Sequence, residues 1–253
     1  MDKKTEHITT KLGLLGKNIS YSFSRAYFAE KFELENLPFV YENYDLKSLK
    51  KFDKVLKKET LLKGLNVTIP YKEDIIPYLD KISKTAKKIG AVNTIKFTKS
   101  GKLKGYNTDW YGFKKSLKPY LKTAHKKALI LGTGGASKAI AFALKDLNIS
   151  YSFVSRESSK NTDYTYADLN ETIIKTHHII INCTPLGTHP NINSCPDIPY
   201  DYLTKDHLIY DLIYNPEQTK FLQCAELKGA TTINGLKMLE LQAERSWKIW
   251  NLV

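Results

Sequence analysis

Cysteine, arginine and long apolar runs are scarce in this chain. Of its 253 residues, only three are cysteines and three are arginines. The spacings of Cys183, Cys195 and Cys224 match no zinc or redox motif, so we expect reduced thiols and no metal site. No apolar run approaches the ~20 residues that span a bilayer, and the polar segment Met1–Thr10 is unlike a secretory signal. We therefore expect a cytoplasmic protein without a membrane partner.

Negative charge is also scarce in the first half of the chain. Residues 1–126 carry 27 basic and 13 acidic side chains, whereas residues 127–253 carry 12 and 13. A basic surface attracts nucleic acid, membranes or small anions. However, 36 of the 39 basic residues are lysines scattered among polar and apolar residues, and no nucleic-acid-binding motif accompanies them. We favour a small anionic substrate; the alternative is a nucleic-acid-binding protein, which salt-dependent binding to DNA would test.

Short apolar runs alternate with amphipathic stretches along both halves. This alternation predicts the α/β class with mostly parallel sheets, and the length suits two domains of ordinary size. Strands are predicted at Leu12–Leu15, Phe39–Tyr44, Leu65–Thr68, Val92–Phe97, Leu103–Tyr106, Ala128–Leu131, Ser152–Ser155, Ile179–Asn182 and Leu208–Asp211. The fourth and fifth of these are predicted to pair as a hairpin. Helices are predicted at Arg25–Leu34, Leu46–Lys57, Asp109–Lys118, Ala136–Leu147 and Leu236–Val253.

A predicted strand runs into a glycine turn and then a helix at residues 127–147. Gly132 permits a tight turn, and Gly134 lets the backbone approach a pyrophosphate. Gly135 and Ala136 open the following helix, whose N-terminus would face the phosphates. The third position of the usual Gly-x-Gly-x-x-Gly pattern is Ser137, so the pattern is a variant. This context predicts a dinucleotide site.

The next predicted strand ends in residues that bear on the choice of dinucleotide. An NAD site carries an acidic residue at this place to bind the ribose 2′-hydroxyl. Here Ser155 is followed by Arg156, which can grip a 2′-phosphate, with Lys160 as a second charge. Glu157 argues the other way, because it could repel that phosphate or pair with Arg156. We favour NADP.

Short polar clusters lie beside glycines in the first half. Ser22 and Ser24 are two residues apart, and Thr68 lies at the C-terminal end of a predicted strand, where α/β proteins bind ligands. Asn93 and Asp109 each stand in a further Asn–Thr cluster. Any one of these clusters has a structural explanation as a helix cap or a turn.

Together with the glycine loop, these clusters resemble the shikimate dehydrogenase family over nearly the whole chain. Further matching motifs lie at residues 182–187, 211–216 and 234–242. The resemblance implies an N-terminal α/β substrate domain, residues 1–109, completed by the C-terminal helix 236–253. It implies a Rossmann-like NADP-binding domain with a parallel sheet at residues 110–235. The implied activity is the NADPH-dependent reduction of 3-dehydroshikimate to shikimate, in the biosynthesis of aromatic amino acids.

The resemblance also implies roles for individual residues. Lys72 would be the catalytic acid and base, with Asp109 as its partner. A helix beginning near Pro70 would disfavour the ammonium form of Lys72, whereas ionised Asp109 would favour it, and the sequence leaves open which effect is larger. The implied substrate contacts are Ser22, Ser24, Thr68, Asn93, Tyr214 and Gln242. The implied cofactor contacts are Gly132, Gly134, Gly135, Ala136, Ser155, Arg156, Lys160, Thr184, Gly235 and Met238.

The chain departs from the family pattern in one loop. Asn18, Tyr21 and Arg25 stand where the family usually has proline, histidine and proline, while both serines of the loop remain. One alternative activity is that of a quinate/shikimate dehydrogenase that uses NAD or both cofactors. Another is a non-catalytic dinucleotide-binding regulator, which would have no need of the Lys72–Asp109 pair. The oligomeric state, monomer or homodimer, is open.

Overall fold

The computed structural model describes residues 10–20, 22–160 and 162–250. The departure at Tyr21 and the last three residues of the predicted C-terminal helix lie outside these ranges. The chain divides into two compact units. Unit 1 comprises the residues up to Thr108 together with those from Arg245 onward, and unit 2 comprises Asp109–Glu244.

Unit 1 is built on one mixed sheet. Its elements are β1 (Thr10–Gly16), α1 (Phe23–Leu34), β2 (Phe39–Asp45), α2 (Phe52–Lys58), β3 (Leu62–Val67), β4 (Lys81–Ile82), α3 (Lys84–Ile89), β5 (Thr94–Phe97) and β6 (Leu103–Tyr106). The strand order is β2-β1-β3-β5-β6-β4. β1 runs parallel to both of its neighbours, whereas β5 runs antiparallel to β3 and β6. The predicted hairpin of β5 and β6 is therefore confirmed.

Unit 2 is built on a parallel sheet. Its elements are α4 (Asp109–Leu117), β7 (Lys127–Leu131), α5 (Gly135–Asp146), β8 (Ser150–Ser155), β9 (Tyr164–Thr165), α6 (Glu171–Thr176), β10 (Ile179–Asn182), β11 (Leu208–Asp211), α7 (Lys220–Glu226) and β12 (Thr231–Ile233). The last helix, α8 (Leu236–Trp250), belongs to unit 2 up to Glu244 and to unit 1 from Arg245. The order β12-β11-β10-β7-β8-β9, with every pair parallel, is that of a dinucleotide-binding Rossmann sheet. This confirms the predicted class.

The central strands of unit 2 are apolar on both faces. Leu129 and Ile180 pack into one hydrophobic cluster, while Ile130 and Ile181 pack into the other. Because helices cover both faces of such a sheet, its strands appear in the sequence as unbroken apolar runs. That is why the predicted bounds of β10 and β11 coincide with those observed.

The sheet of unit 1 carries aromatic side chains on one face. Phe28 of α1 stacks on Tyr41 of β2 with ring centroids 4.7 Å apart, and lies 5.5 Å from Trp250 at the end of α8. The Trp250 indole donates a hydrogen bond of 2.9 Å to the carbonyl of Ile95. A Cβ atom at Gly64 would overlap the Trp250 ring, so this position needs glycine. The end of α8 is thus part of the core of unit 1.

One prediction about a helix is wrong. Residues 69–75 form turns followed by a short 3₁₀ helix at Ile76–Tyr78, so no α-helix begins at Pro70. The helix expected to act on Lys72 through its dipole is therefore missing. In contrast, α8 begins at Leu236 as predicted; of its expected core residues Ala243 is buried, while Leu236, Leu239 and Trp247 are half-buried. The helix also buries Met238, Gln242, Ser246 and Trp250, of which Gln242 and Ser246 are polar.

Within the described residues, none of the helices combines the length and the apolar character needed to cross a membrane.

Candidate active site

The loop between β1 and α1 carries Ser22 and Ser24. Ser22 is the N-cap residue of α1, while Ser24 is buried in the first turn, beside the Tyr41 hydroxyl. The carboxylate of Asp45, at the end of β2, accepts hydrogen bonds from the backbone N–H groups of Asn18 (2.9 Å) and Ile19 (3.1 Å). Asn18 has a left-handed backbone (φ 56°) that proline cannot adopt. The departure at this position therefore gives the loop a conformation of its own.

Thr68, Lys72 and Asn93 meet at the carboxyl ends of β1 and β3. The Thr68 N–H donates to the Leu15 carbonyl (2.9 Å), and the carbonyl of Asn93 accepts from the Val67 N–H (2.8 Å). The carbonyl of Lys72 accepts from the Val92 N–H (2.7 Å), which fixes the turn beside the strand. The sequence predicted all three as substrate-side residues, and the structure brings them together within unit 1.

Asp109 and Gln242 belong to unit 2, on two helices in close contact. α4 begins at Asp109, which is buried, and Gln242 is buried on α8. One turn after Asp109, a Cβ atom at Gly112 would lie 2.5 Å from the Met238 carbonyl oxygen and 3.1 Å from the Gln242 Cβ. The missing side chain at Gly112 therefore lets the helix that bears Asp109 approach the one that bears Gln242.

The glycine loop after β7 has the geometry of a phosphate cradle. Gly132 has a left-handed backbone (φ 99°), and its N–H donates to the Val154 carbonyl (2.8 Å). Gly134 is the N-cap of α5, and a Cβ atom placed there would meet nothing within 4 Å. Gly135 and Ala136 form the first turn of α5, where backbone N–H groups lack partners within the helix. The open space and the donors fit a pyrophosphate.

A cavity of about 700 Å³ in unit 2 bears on the predicted preference for NADP over NAD. Its lining includes Arg156, Tyr166, Glu157 and Asp197. The Tyr166 hydroxyl is buried without a hydrogen-bond partner among the described residues, and burial raises its pKa to about 12. An arginine beside a polar atom that lacks a partner fits the phosphorylated ribose of NADP, whereas the two carboxylates oppose the phosphate charge. Ser155 ends β8, and Lys160 is exposed outside the cavity lining.

Of the remaining predicted cofactor residues, Thr184 and Gly235 lie in the loops that follow β10 and β12, whereas Met238 lies on α8; the predicted substrate contact Tyr214 follows β11. The N–H and the hydroxyl of Thr184 both donate to Asn182 Oδ1, at 2.9 and 2.6 Å. A Cβ atom at Gly235 would collide with the Leu212 carbonyl oxygen, so glycine is required there. Tyr214 is half-buried in the loop after β11, and Met238 is buried on α8.

A buried polar cluster in unit 2 had no predicted role. Asp211 Oδ1 accepts from Asn182 Nδ2 (3.0 Å) and the Ile213 N–H (3.0 Å), and Oδ2 accepts from the Thr219 hydroxyl (2.6 Å). Burial raises the pKa of Asp211 to about 6, against the lowering effect of these donors. The cluster orders the loops that carry Thr184 and Tyr214. The sequence did contain a signal for this cluster, because Asn182 and Asp211 are each the polar last residue of an otherwise apolar strand.

Comparisons with known proteins agree with this geometry. Residues 14–95 match the family model of the shikimate dehydrogenase substrate binding domain. A shikimate dehydrogenase (NADP(+)) of Clostridium botulinum is 42% identical over 250 residues, covering 95% of this chain and 96% of the relative. That of Methanosphaera stadtmanae is 38% identical over 255 residues, covering 94% and 90%. The crystal structure of a shikimate dehydrogenase in complex with NADP+ has a TM-score of 0.86 at 35% identity, covering 97% and 91%. The chain belongs to the shikimate dehydrogenase family.

Proposed function

We propose that the chain catalyses the NADPH-dependent reduction of 3-dehydroshikimate to shikimate. The observation that carries the proposal is the meeting of Thr68, Lys72 and Asn93 at the carboxyl ends of β1 and β3. These residues supply a hydroxyl, an amine and an amide, which suit a substrate rich in hydroxyl groups and a reaction that moves a proton. The high identity to named shikimate dehydrogenases supports the same activity.

In this proposal the substrate is held mainly by neutral polar groups. Ser22 and Ser24 are assigned to its carboxylate, which fits the position of Ser22 at a helix N-terminus, where anions are stabilised. Thr68 and Asn93 are assigned to its hydroxyl groups, together with Tyr214 and Gln242 from unit 2. We assign substrate binding to residues 1–109 with the C-terminal helix, and cofactor binding to residues 110–235.

Lys72 and Asp109 are assigned to proton transfer. When bound, NADPH supplies the hydride that reduces the ketone. Lys72 would donate the proton that the developing alkoxide needs, and Asp109 would orient the ammonium group. Lys72 suits this task because its backbone is held by Val92 while its side chain is only half-buried.

The cofactor is assigned to the carboxyl edge of the parallel sheet. Gly132, Gly134, Gly135 and Ala136 would hold the pyrophosphate at the start of α5. The 2′-phosphate would be held by Ser155, Arg156 and Lys160, of which Arg156 lines the cavity. Thr184, Gly235 and Met238 would lie near the nicotinamide.

One assay tests the proposal. At constant enzyme concentration, oxidation of the nicotinamide cofactor is followed for three pairs: NADPH with 3-dehydroshikimate, NADH with 3-dehydroshikimate, and NADPH with 3-dehydroquinate. We expect the first pair to give a kcat/KM at least about tenfold above the others, a difference of about 1.4 kcal/mol. Equal rates with NADH would favour the quinate/shikimate alternative, for which Glu157 and Asp197 in the cavity are the supporting observation. A purified, folded protein without activity on any pair would contradict the proposal.

We also propose that the partners are small molecules and that the protein works in the cytoplasm. The basic first half would then attract an anionic substrate rather than nucleic acid. Binding to duplex DNA with a steep salt dependence would contradict this. Light scattering would distinguish a monomer from a homodimer.

A further inference from the structure

We propose that Ser246 is a positioning residue, which orients Asn93 and Asn66 on the substrate side of unit 1 through a buried hydrogen-bond network. The proposal rests on the proposed function, because it takes Asn93 as a substrate contact. Ser246 lies on α8, far along the chain from the strands that it contacts.

Ser246 is the junction of the network. It is fully buried, and its hydroxyl lies 3.0 Å from Asn66 Nδ2, 2.8 Å from Thr94 Oγ1 and 3.2 Å from Thr108 Oγ1. These partners come from β3, from β5 and from the residue that precedes α4. One hydroxyl on a helix thus joins three separate segments of unit 1.

The network fixes the orientation of the Asn93 amide. Asn93 Oδ1 accepts from the Thr108 N–H (2.7 Å), and Nδ2 lies 2.9 Å from Thr108 Oγ1. Because a backbone N–H only donates, the oxygen of the amide must face Thr108 N and the nitrogen must take the other position. Thr108 and Thr94, which both contact Ser246, are fully buried and also contact Asn93. Removing the Ser246 hydroxyl therefore loosens both threonines that hold this amide.

The second arm of the network leads to Ser24. Asn66 Nδ2 donates to the Asn93 carbonyl (3.2 Å), so its Oδ1 faces the Tyr41 hydroxyl, 2.8 Å away. The Ser24 side chain lies beside the Tyr41 hydroxyl. Ser246 is therefore joined to Asn93 by buried hydrogen bonds, and through Asn66 to the tyrosine that lies next to Ser24.

The buried neutral groups of this network fix the orientation of the Asn66 and Asn93 amides. Asn66 and Asn93 are almost completely buried, so solvent water has little access to replace a lost partner. We expect the loss of one hydroxyl to let the amides adopt several orientations, which lowers the affinity for the substrate and leaves the cofactor site in unit 2 unaffected.

The test compares Ser246→Ala with a matched control, Ser116→Ala. Ser116 is also a buried serine, but it lies in unit 2 and its hydroxyl contacts the Tyr210 hydroxyl (2.7 Å). We expect Ser246→Ala to raise the KM for 3-dehydroshikimate about five- to tenfold while the KM for NADPH stays within about twofold. The control should leave both KM values within about twofold of wild type. An unchanged KM for 3-dehydroshikimate in folded Ser246→Ala, or an equal rise in both variants, would overturn the proposal.

A second measurement needs no turnover and so separates this proposal from the proposed function. The side-chain amide resonances of Asn93 should shift and broaden in Ser246→Ala and stay in place in Ser116→Ala. Unperturbed Asn93 resonances would overturn the positioning role whether or not the protein is active. If Ser246→Ala does not fold, Tyr41→Phe replaces it, because its ring keeps the stacking on Phe28 and loses the hydroxyl that bonds Asn66. The Asn66 amide resonances must then shift; if they do not, the network has no positioning role.

Discussion

Each unit gathers buried polar side chains near the carboxyl ends of its central strands, but the two clusters differ in charge. In unit 1, Asn66, Thr94 and Ser246 are neutral. In unit 2, the cluster is centred on the carboxyl group of Asp211, which is fully buried. A neutral network can orient amides without placing a charge in the interior, whereas a buried carboxylate needs every donor that it has. Unit 1 therefore orients its buried amides through neutral groups, whereas the loops of unit 2 are held by a carboxyl group whose hydrogen bonds depend on its ionisation.

The largest expected effect is on kcat, because we assign the proton transfer to Lys72 of unit 1. Lys72→Ala should lower kcat by ~10²–10⁴-fold, because a general acid is lost, and should leave the KM for NADPH within about threefold. Steady-state kinetics with 3-dehydroshikimate measure both. Lys63→Ala, an exposed lysine of the same unit, is the matched control and should keep the wild-type kcat. A kcat near wild type for Lys72→Ala would remove this lysine from the mechanism.

The charge difference between the clusters can be measured by two threonine substitutions. Thr219→Val removes a donor to Asp211 and should reduce the free energy of unfolding by about 2 kcal/mol at pH 7, because hydrogen bonds to charged groups are the stronger ones. Thr94→Val in unit 1 should cost about 1 kcal/mol, because its partners are neutral. Urea denaturation gives both values, and Thr219→Val should also raise the pKa of Asp211. Equal losses would contradict the distinction between the clusters.

Cofactor selectivity should depend on unit 2 alone. Arg156→Ala should raise the KM for NADPH about tenfold and barely change that for NADH, since one charge-assisted contact to the 2′-phosphate is lost. Lys160→Ala should change the KM for NADPH by less than about threefold, because Lys160 is exposed outside the cavity lining. If NADPH and NADH responded equally to Arg156→Ala, the assignment of the 2′-phosphate to this residue would be wrong.

The smallest expected effect is a pH dependence of stability that arises in unit 2. Burial lowers the pKa of His125, His177 and His207 below the usual 6.5. The stability that these neutral histidines contribute is present above pH 6.5 and is lost as the pH falls below it. Asp211 acts in the opposite sense, because its raised pKa means that its contribution is lost as the pH rises to about 6. We expect the histidine contributions to exceed that of Asp211, which gives a net loss of stability on acidification.

Urea denaturation should give a lower free energy of unfolding at pH 5 than at pH 7. The hydrogen bonds explain the direction: the backbone N–H of Thr204 donates to His207 Nδ1 (3.0 Å), and that of Lys122 donates to His125 Nδ1 (3.0 Å). Protonation of either ring would place an N–H at Nδ1, facing the backbone N–H that now donates to it. Ring resonances that titrate at or above pH 6.5 for all three histidines would rule out this origin.

The sequence predicted the strands and the glycine loop of unit 2 more accurately than the segment after Pro70 in unit 1. Ile179–Asn182 and Leu208–Asp211 were predicted with their observed bounds, because strands of a covered parallel sheet are continuous apolar runs. The glycine loop was predicted because a left-handed turn and a close approach require glycine at fixed places. In contrast, Pro70 suggested a helix. The chain after it instead forms turns, in which Ile75 is buried in the core and Lys72 is held by Val92.

The sequence by itself determined the α/β class and the glycine cradle, and its motifs carry the family resemblance that implies a hydroxylated acid as substrate. The class and the cradle depend on periodicity and on local backbone requirements, which neighbouring residues specify. The tertiary structure alone decided which polar groups meet. Asn66 and Ser246 are 180 residues apart in the chain, and Thr94 and Ser246 are 152 apart. No local pattern marks such a serine on a helix as buried, because its hydrogen-bond partners come together only when the sheet and the helix pack.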